Sequence, residues 1–340
     1  MFPIILITLI ICIICGVLIF TGRLRINRAR TPLEGKNILI TGCDSGFGYS
    51  LALHCADNGM NVLAGCYLED SEGGKFLESI DNITVVGLDV TNSKSLDEAL
   101  TVVRRVCGTD GLHCLVNNAA VLVFGETMWQ TEDQVRWQVE VNYLGPVRVS
   151  RGCLPLLVRG QGRIVNMISN CTECPLPTLG PYTASKVSNF STLQTIFNFV
   201  YQGALLAITD IMRAELKKFG VKVVIVNPGD APMETPLTSG QAGHYQRMDL
   251  GLTSEERQLH GDLFTKCKQY YSQLFPQPPL KIVENTNYYA MMDDVLGSAE
   301  PMTYYCNSDL VTSLVFTVIK YLPRKMSDIM RLKIMKCYEQ

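Results

Sequence analysis

The sequence predicts an α/β fold: a doubly wound parallel sheet with helices on both faces. Three observations predict it. Short runs that are apolar almost throughout recur along the chain, and amphipathic stretches of helical period separate most of them. The first run also leads directly into a glycine-rich turn, Gly42-Cys43-Asp44-Ser45-Gly46-Phe47-Gly48. A strand buried on both faces loses the alternation of a half-exposed one, so continuous apolar runs point to a parallel sheet covered on each side.

Taken in order, residues 36–41 (KNILIT) read as the first buried strand, followed by the glycine turn and the amphipathic run FGYSLALHCADNG. Residues 60–66, 83–90, 113–119, 162–169 and 221–229 read as the further strands. Together they define one domain over residues 33–229. From Asp230 the character changes: residues 231–260 are polar and turn-rich, and YYSQLFPQPPLK is broken by prolines. An insertion after the last core strand is expected to form a substrate lid within residues 230–340. The tail from Ser308 to Lys336 is apolar and basic together, which suits either packing on the core or lying along a membrane surface.

Ahead of the domain, Phe2–Phe20 runs about nineteen residues without a charge, enough at 1.5 Å per residue to cross a ~30 Å hydrocarbon layer. The basic residues follow it, in Arg23–Arg30, rather than precede it as in a cleaved signal peptide. Residues 1–22 are therefore expected to be an uncleaved transmembrane helix and 23–32 a basic linker. The positive-inside rule then puts the catalytic domain in the cytosol. The endoplasmic reticulum is the expected membrane, ahead of the mitochondrion. A net charge of −2 offers no basic surface for nucleic acid. Thirteen scattered cysteines, an odd number, read as free thiols in a reducing compartment, and the lone Cys171-x-x-Cys174 lacks the partners of a zinc site. No metal is expected.

In the glycine turn, a strand end meets the N-terminus of a helix, where free N–H groups and close backbone approach suit a pyrophosphate. The motifs that follow make the pattern specific. LDV ends at Val90, NNAA spans Asn117–Ala120, VNYLG spans Val141–Gly145, Ser169 stands thirteen residues before Tyr182, YTASK ends at Lys186, and NPG spans Asn227–Gly229. In this order they resemble the short-chain dehydrogenase/reductase family, and in wording its retinol, steroid and 3-hydroxybutyrate dehydrogenase-like branch. That resemblance implies a Rossmann fold and a nicotinamide-dependent alcohol oxidoreductase. It assigns Asn142, Ser169, Tyr182 and Lys186 to catalysis. Gly42, Asp44, Ser45, Gly46, Phe47, Gly48, Asp89, Val90, Asn118, Ala119, Lys186, Pro228 and Gly229 are assigned to the cofactor. Family members commonly pair through the helices after VNYLG and YTASK, so a homodimer is implied by analogy. Ala120 stands where the family has glycine.

The chemistry explains the residue types. Oxidising an alcohol needs a base for the hydroxyl proton while hydride leaves carbon. A free tyrosine titrates near ~10, so Tyr182 needs a nearby cation to serve at neutral pH. Lys186, one helical turn on, is that cation and a hand for the nicotinamide ribose. Ser169 would bond the substrate oxygen, and Asn142 would hold a water relaying the proton through Lys186. For the cofactor, Asp44, Glu69 and Asp70 offer carboxylates where the 2′-phosphate of NADP needs a cation, so NAD is expected over NADP. Glu69 and Asp70 also read as an ordinary solvated loop, with Cys66 at the discriminating position. The expected substrate is a small hydrophobic alcohol, steroid or retinoid. A small hydroxy acid such as 3-hydroxybutyrate is the alternative, with Arg247 and Lys266 as candidate carboxylate partners; a catalytically silent scaffold is another.

One segment breaks the pattern. Sixteen residues, Val187–Gln202, stand between YTASK and GALLAITDIMRAEL. Without them the small pair Gly203-Ala204, then Asp210, Arg213 and Glu215-Leu216, follow Lys186 as the resemblance requires. Val-Ser and Tyr-Gln at the two ends fit GTAAGT and TATCAG, acceptable intron boundaries, so the segment reads as an in-frame retained intron. A genuine loop insertion is the structural alternative.

Overall fold

In the computed structural model, residues 29–172, 174–186, 204–229, 235–274, 280–335 and 338 are described. Seven strands form one parallel sheet in the order β3-β2-β1-β4-β5-β6-β7. They are β1 (Asn37–Thr41), β2 (Asn61–Cys66), β3 (Ile83–Gly87), β4 (Cys114–Asn117), β5 (Arg163–Met167), β6 (Lys222–Asn227) and β7 (Tyr304–Cys306). The order reverses beside β1 and β4, the place where a doubly wound sheet opens a crevice for a ligand.

The helices are α1 (Gly46–Asp57), α2 (Glu72–Glu78), α3 (Ser93–Cys107), α4 (Glu132–Val139), α5 (Gly145–Arg159), α6 (Gly180–Lys186), α7 (Ala204–Leu216), α8 (Gln241–Gly251), α9 (Ser254–Leu274), α10 (Thr286–Gly297), α11 (Leu310–Tyr321) and α12 (Arg324–Ile334). Local chemistry sets several of their starts. Asn92 caps α3 by accepting from Lys94 N and Ser95 N, and Thr131 with Gln134 forms a reciprocal capping box on α4. A π-helical turn, Glu140–Leu144, joins α4 to α5 and carries Asn142.

The strands are apolar on both sides because both sides are core. Ile38 and Ile40 of β1 pack with Leu51 and Cys55 of α1 and with Tyr288, Met292 and Val295 of α10. Leu39, between them, faces the opposite layer with Leu96 and Val103 of α3 and Val149 of α5. Period-2 alternation is thus present in space but invisible in polarity.

The core extends past residue 229. Strand β7 pairs with β6, and α10 fills one face of the sheet. His54 Nε2 on α1 meets Asp293 Oδ1 on α10 at 2.7 Å, and Arg163 Nη1 donates to Val295 O and Ser298 O at the C-terminal end of α10. Residues 286–306 therefore belong to the sheet domain rather than to a separate appendage. A three-residue strand has too little sequence to announce itself. Cys43, Cys55, Cys66, Cys107, Cys114 and Cys153 are buried free thiols.

Among the described residues no helix is long and apolar enough to cross a membrane. The run Phe2–Phe20 lies outside the described residues, as does the insertion Val187–Gln202. Helix α7, just after it, packs on β5, β6 and α6, with Leu205 and Leu206 against Ile168 and Ile225. Asn166 Nδ2 on β5 donates to Thr209 Oγ1, and Arg213 Nε to Val223 O, so α7 is fixed to the sheet by both apolar and polar contacts.

Candidate active site

The glycine turn is shaped by close contacts. Gly42 has φ +72°, and a side chain there would put its Cβ 2.8 Å from Ala119 Cα. At Gly48 a Cβ would run into the Gly42 carbonyl oxygen and the Asn118 amide. Asn118 Nδ2 donates to Thr41 O and Gly42 O, while Thr41 Oγ1 accepts from Asn118 N and Ala119 N. These bonds lock the end of β4 onto the turn. Ser45, at the N-cap of α1, is fully extended and makes no capping bond with its side chain. The first turn of α1 thus presents N–H groups that Ser45 does not cap, over a floor that no Cβ fills, which fits the pyrophosphate of a dinucleotide. Phe47 packs its ring on Tyr288, centroids 4.8 Å apart, and so faces the core.

Around the adenosine end the geometry is acidic. Asp44 accepts from Tyr67 N at 2.9 Å and Leu68 N at 2.8 Å, which pins the chain leaving β2 beside the turn. Glu69 reaches back against Gly87 of β3. Burial pushes the Cys66 thiol up to about 12, and the nearby carboxylates of Asp44 and Glu69 add to it. Cys66 is therefore a neutral thiol between two anions, while Asp70 is simply exposed. Asp89 accepts from Thr91 N and Oγ1 and donates from its own N–H to Ser95 Oγ, so its carboxylate shapes the turn after β3. Val90 is buried against Gly145.

The four proposed catalytic residues lie on the segments that follow β4 and β5, Asn142 after the first and Ser169, Tyr182 and Lys186 after the second. Lys186, on α6, is buried and donates from Nζ to Met167 O at 3.0 Å, two residues before Ser169. Burial pushes its ammonium down to about 7. Tyr182 is buried one turn earlier on the same helix. Ser185 links the set: its hydroxyl donates to Tyr182 O at 2.7 Å and accepts from Asn142 Nδ2 at 3.1 Å. Asn142 also donates to Val121 O and accepts from Val121 N, so its side chain holds the segment after β4. The water-holding role expected of Asn142 thus finds its side-chain amide already engaged with protein. Ser169 is half-buried, with Oγ accepting weakly from Cys171 N at 3.4 Å.

Two features escaped the sequence reading. Asn170 lies in an Asn-x-Thr triplet of the glycosylation type, yet it is a buried hub. Its Oδ1 accepts from Asn227 Nδ2 at 2.8 Å and from Ser308 Oγ, which joins the Ser169 loop to the Pro228-Gly229 segment and to the chain before α11. Gly229 N donates to Asn227 Oδ1, completing that strand end. The second is the way α8 and α9 pack around Tyr182. Tyr182 shares a buried apolar cluster with Tyr245 and Met248 of α8, Phe264 and Tyr271 of α9, and Phe124. Gln241, at the start of α8, accepts from Phe124 N and donates to Leu122 O, so a buried glutamine clamps α8 onto the segment after β4. Among the described residues no cluster could hold a metal ion.

Comparison with known proteins decides the family. The family model for short chain dehydrogenase matches residues 36–244, the stretch that contains every motif above. The chain belongs to the short chain dehydrogenase family. It is 36% identical over 215 residues to the mitochondrial D-beta-hydroxybutyrate dehydrogenase of Bos taurus, covering 62% of this chain and 58% of that protein. It thus spans under two thirds of that relative's length. It is 31% identical over 300 residues to the 17-beta-hydroxysteroid dehydrogenase type 6 of Bos taurus, covering 87% of each. A short chain dehydrogenase/reductase from Burkholderia phymatum, solved in complex with NAD, shares the fold with a TM-score of 0.63. It is 18% identical, and the match covers 88% of this chain and 97% of that one. The retinol, steroid and hydroxybutyrate branch of this oxidoreductase family is the one the motif wording had indicated.

Proposed function

We propose that this member of the family is a membrane-anchored, NAD-dependent dehydrogenase that oxidises a hydrophobic secondary or allylic alcohol of the steroid or retinoid class. The observation that carries the substrate class is the surrounding of Tyr182. Its neighbours from the lid are aromatic and aliphatic, whereas Arg247 and Lys266 are exposed, and Arg247 is turned back onto Gly243 O. A small hydroxy acid needs a cation beside its carboxylate, and neither side chain is buried near the tyrosine. An apolar alcohol fits such walls, and an anchor made from Phe2–Phe20 would keep the enzyme at the bilayer into which that alcohol partitions.

The carboxylates of Asp44 and Glu69 favour NAD, since a 2′-phosphate there would meet anions and no cation. The α1 N-terminus would hold the pyrophosphate, Asn118 and Ala119 the central segment, and Lys186 with Pro228 and Gly229 the nicotinamide end. Bound NAD supplies the acceptor for the hydride. Tyr182 takes the hydroxyl proton, helped by the Lys186 ammonium one turn away. Ser169 Oγ orients the substrate oxygen. Asn142 keeps α6 in register with the strand ends through Ser185.

The test is NADH formation by the full chain with a panel of sterols, retinol and 3-hydroxybutyrate, beside Tyr182→Phe. Turnover is expected with a sterol or retinol. Removing the phenol is expected to lower it by about 10²–10⁴-fold with NAD affinity retained. Preferential turnover of 3-hydroxybutyrate would overturn the substrate class. Turnover surviving in Tyr182→Phe would overturn the base, and none with any substrate would favour a silent scaffold.

A further inference from the structure

The C-terminal helices carry an apolar surface that the core does not use. On α11, Val311, Leu314, Val315 and Val318 follow the i, i+3, i+4, i+7 spacing of one helix face, and they are 71%, 64%, 38% and 48% exposed. Ile319 is the one fully buried side chain of that helix. Helix α12, which packs against α11, exposes Met326, Ile329 and Met330 in the same manner. Soluble monomers rarely leave so much contiguous apolar surface bare, and where they do it marks a binding face.

Three further observations say what covers it. The charge is cationic: Lys320, Arg324, Lys325, Arg331 and Lys333 stand against Asp309 and Asp328 over residues 309–334, in a chain whose net charge is −2. Such a basic, apolar combination suits an anionic lipid surface. The place where the N-terminal segment leaves the domain is also close. Arg30 bridges Ser298, Thr31 N donates to Gly297 O, and Ala299 N donates to Ala29 O. Only β7, a three-residue strand about 10 Å long, and short loops separate that exit from α11. Finally, Ser308, just before α11, donates to Asn170 beside Ser169, so the helix pair starts at the edge of the active site.

We propose that α11 and α12 form an amphipathic hairpin lying in the headgroup layer of the membrane that holds the N-terminal run. This second contact rests on the membrane-anchored reading for its location. It sets the domain's orientation, with the edge marked by Asn170 and Ser308 turned toward the lipid from which an apolar alcohol is drawn. A second copy of the chain is the competing occupant. A protein partner would have to match both the stripe and the cations, whereas an anionic bilayer matches them by its nature.

The experiment uses the full chain reconstituted in phosphatidylcholine vesicles with brominated acyl chains, with and without phosphatidylserine. Leu314→Trp and Met330→Trp report on the hairpin, Phe76→Trp on α2 is the control, and the native Trp129 and Trp137 emission is subtracted. Loss of most of the added emission at positions 314 and 330, deepened by phosphatidylserine and absent at 76, is the expected result. Vesicles that carry the chain while Leu314→Trp stays as bright as Phe76→Trp would overturn the hairpin and leave the anchor standing. Quenching at 314 in a chain that high salt strips from the vesicles would support the hairpin and refute the anchor. No co-flotation at all would overturn both. An unquenched Leu314→Trp in a dimer that Val311→Glu splits would assign the face to a second copy instead.

Discussion

The cofactor side and the reaction side of the sheet are held differently. From Thr41 to Ala119 the motif groups close on one another: Thr41, Asn118, Asp44 and Ser71 each bond backbone within or beside the turn they shape. From Asn142 to Gly229 several buried polar atoms have no partner among the described residues, including Asn170 Nδ2, Thr172 Oγ1 and Thr183 Oγ1. Lys186 there keeps a cation in the core, and among the described residues one carbonyl oxygen, that of Met167, meets it. Unsatisfied buried groups are rare in folded proteins and gather where a ligand completes the network. On the cofactor side Asn117 Oδ1 is the one such atom among the described residues from Thr41 to Ala119, so that side is the nearer to a finished mould, and the reaction side is the one that loses more stability to be ready.

Substitution of Lys186 by Met sharpens that contrast most. The unfolded chain holds the lysine proton up to about 10.5, whereas the folded, cofactor-free chain releases it at about 7. The cost of the buried charge is fully present below pH 7 and fades as pH rises toward 10.5. At about 1.4 kcal/mol per pKa unit this amounts to several kcal/mol. Lys186→Met is expected to unfold at higher urea than wild type below pH 7, to match it above about pH 10, and to lose turnover. Equal midpoints across that range would show that burial of the charge carries no cost.

The insertion tests the reaction side next. Helix α7 is docked by Leu205, Leu206, Thr209 and Arg213 onto β5 and β6, next to α6. We propose that α6 and α7 are two parts of one catalytic helix and that Val187–Gln202 is a retained intron. Removing those residues should leave the docking intact and place Lys186 on a continuous support. A gain in turnover on the order of a hundredfold is the scale of a 1 Å correction, and the thermal midpoint should rise with it. A mature transcript that retains the codons, or a shortened chain that fails to turn over while the long form works, would make the insertion a genuine part of the enzyme.

The same asymmetry explains what the sequence made legible. The glycine turn could be read because its constraints are local: Gly42 and Gly48 are needed by backbone a few residues away and by Asn118. Strands β1–β6 could be read because burial on both faces leaves them continuously apolar. Strand β7 could not, since Tyr304–Cys306 is a strand only by virtue of pairing with β6. The role of Asn170 was hidden because nothing nearby in sequence announces Asn227 or Ser308 as its partners. The apolar setting of Tyr182 was equally hidden, being assembled from α8 and α9 some sixty to ninety residues later. Asn142 was recognised by its motif, but its commitment to Val121 and Ser185 is a property of the fold alone.

The smallest effect is expected at the finished side, where one charge sets a preference without building the turn. Asp44 is half-buried and accepts two backbone N–H groups, so replacing it by alanine would mix loss of charge with loss of the loop. Asp44→Asn keeps an acceptor oxygen for one of those donors and removes the anion. NADP binding should then tighten by up to about fivefold, the size of one partly exposed charge interaction. NAD affinity should change less, since NAD presents no phosphate at the ribose. Isothermal titration of both dinucleotides against both proteins reads the two shifts separately. A parallel loss for NAD and NADP would mean that Asp44 acts by holding Tyr67 and Leu68 rather than by its charge, and the preference for NAD would then rest on Glu69 and the walls around Cys66.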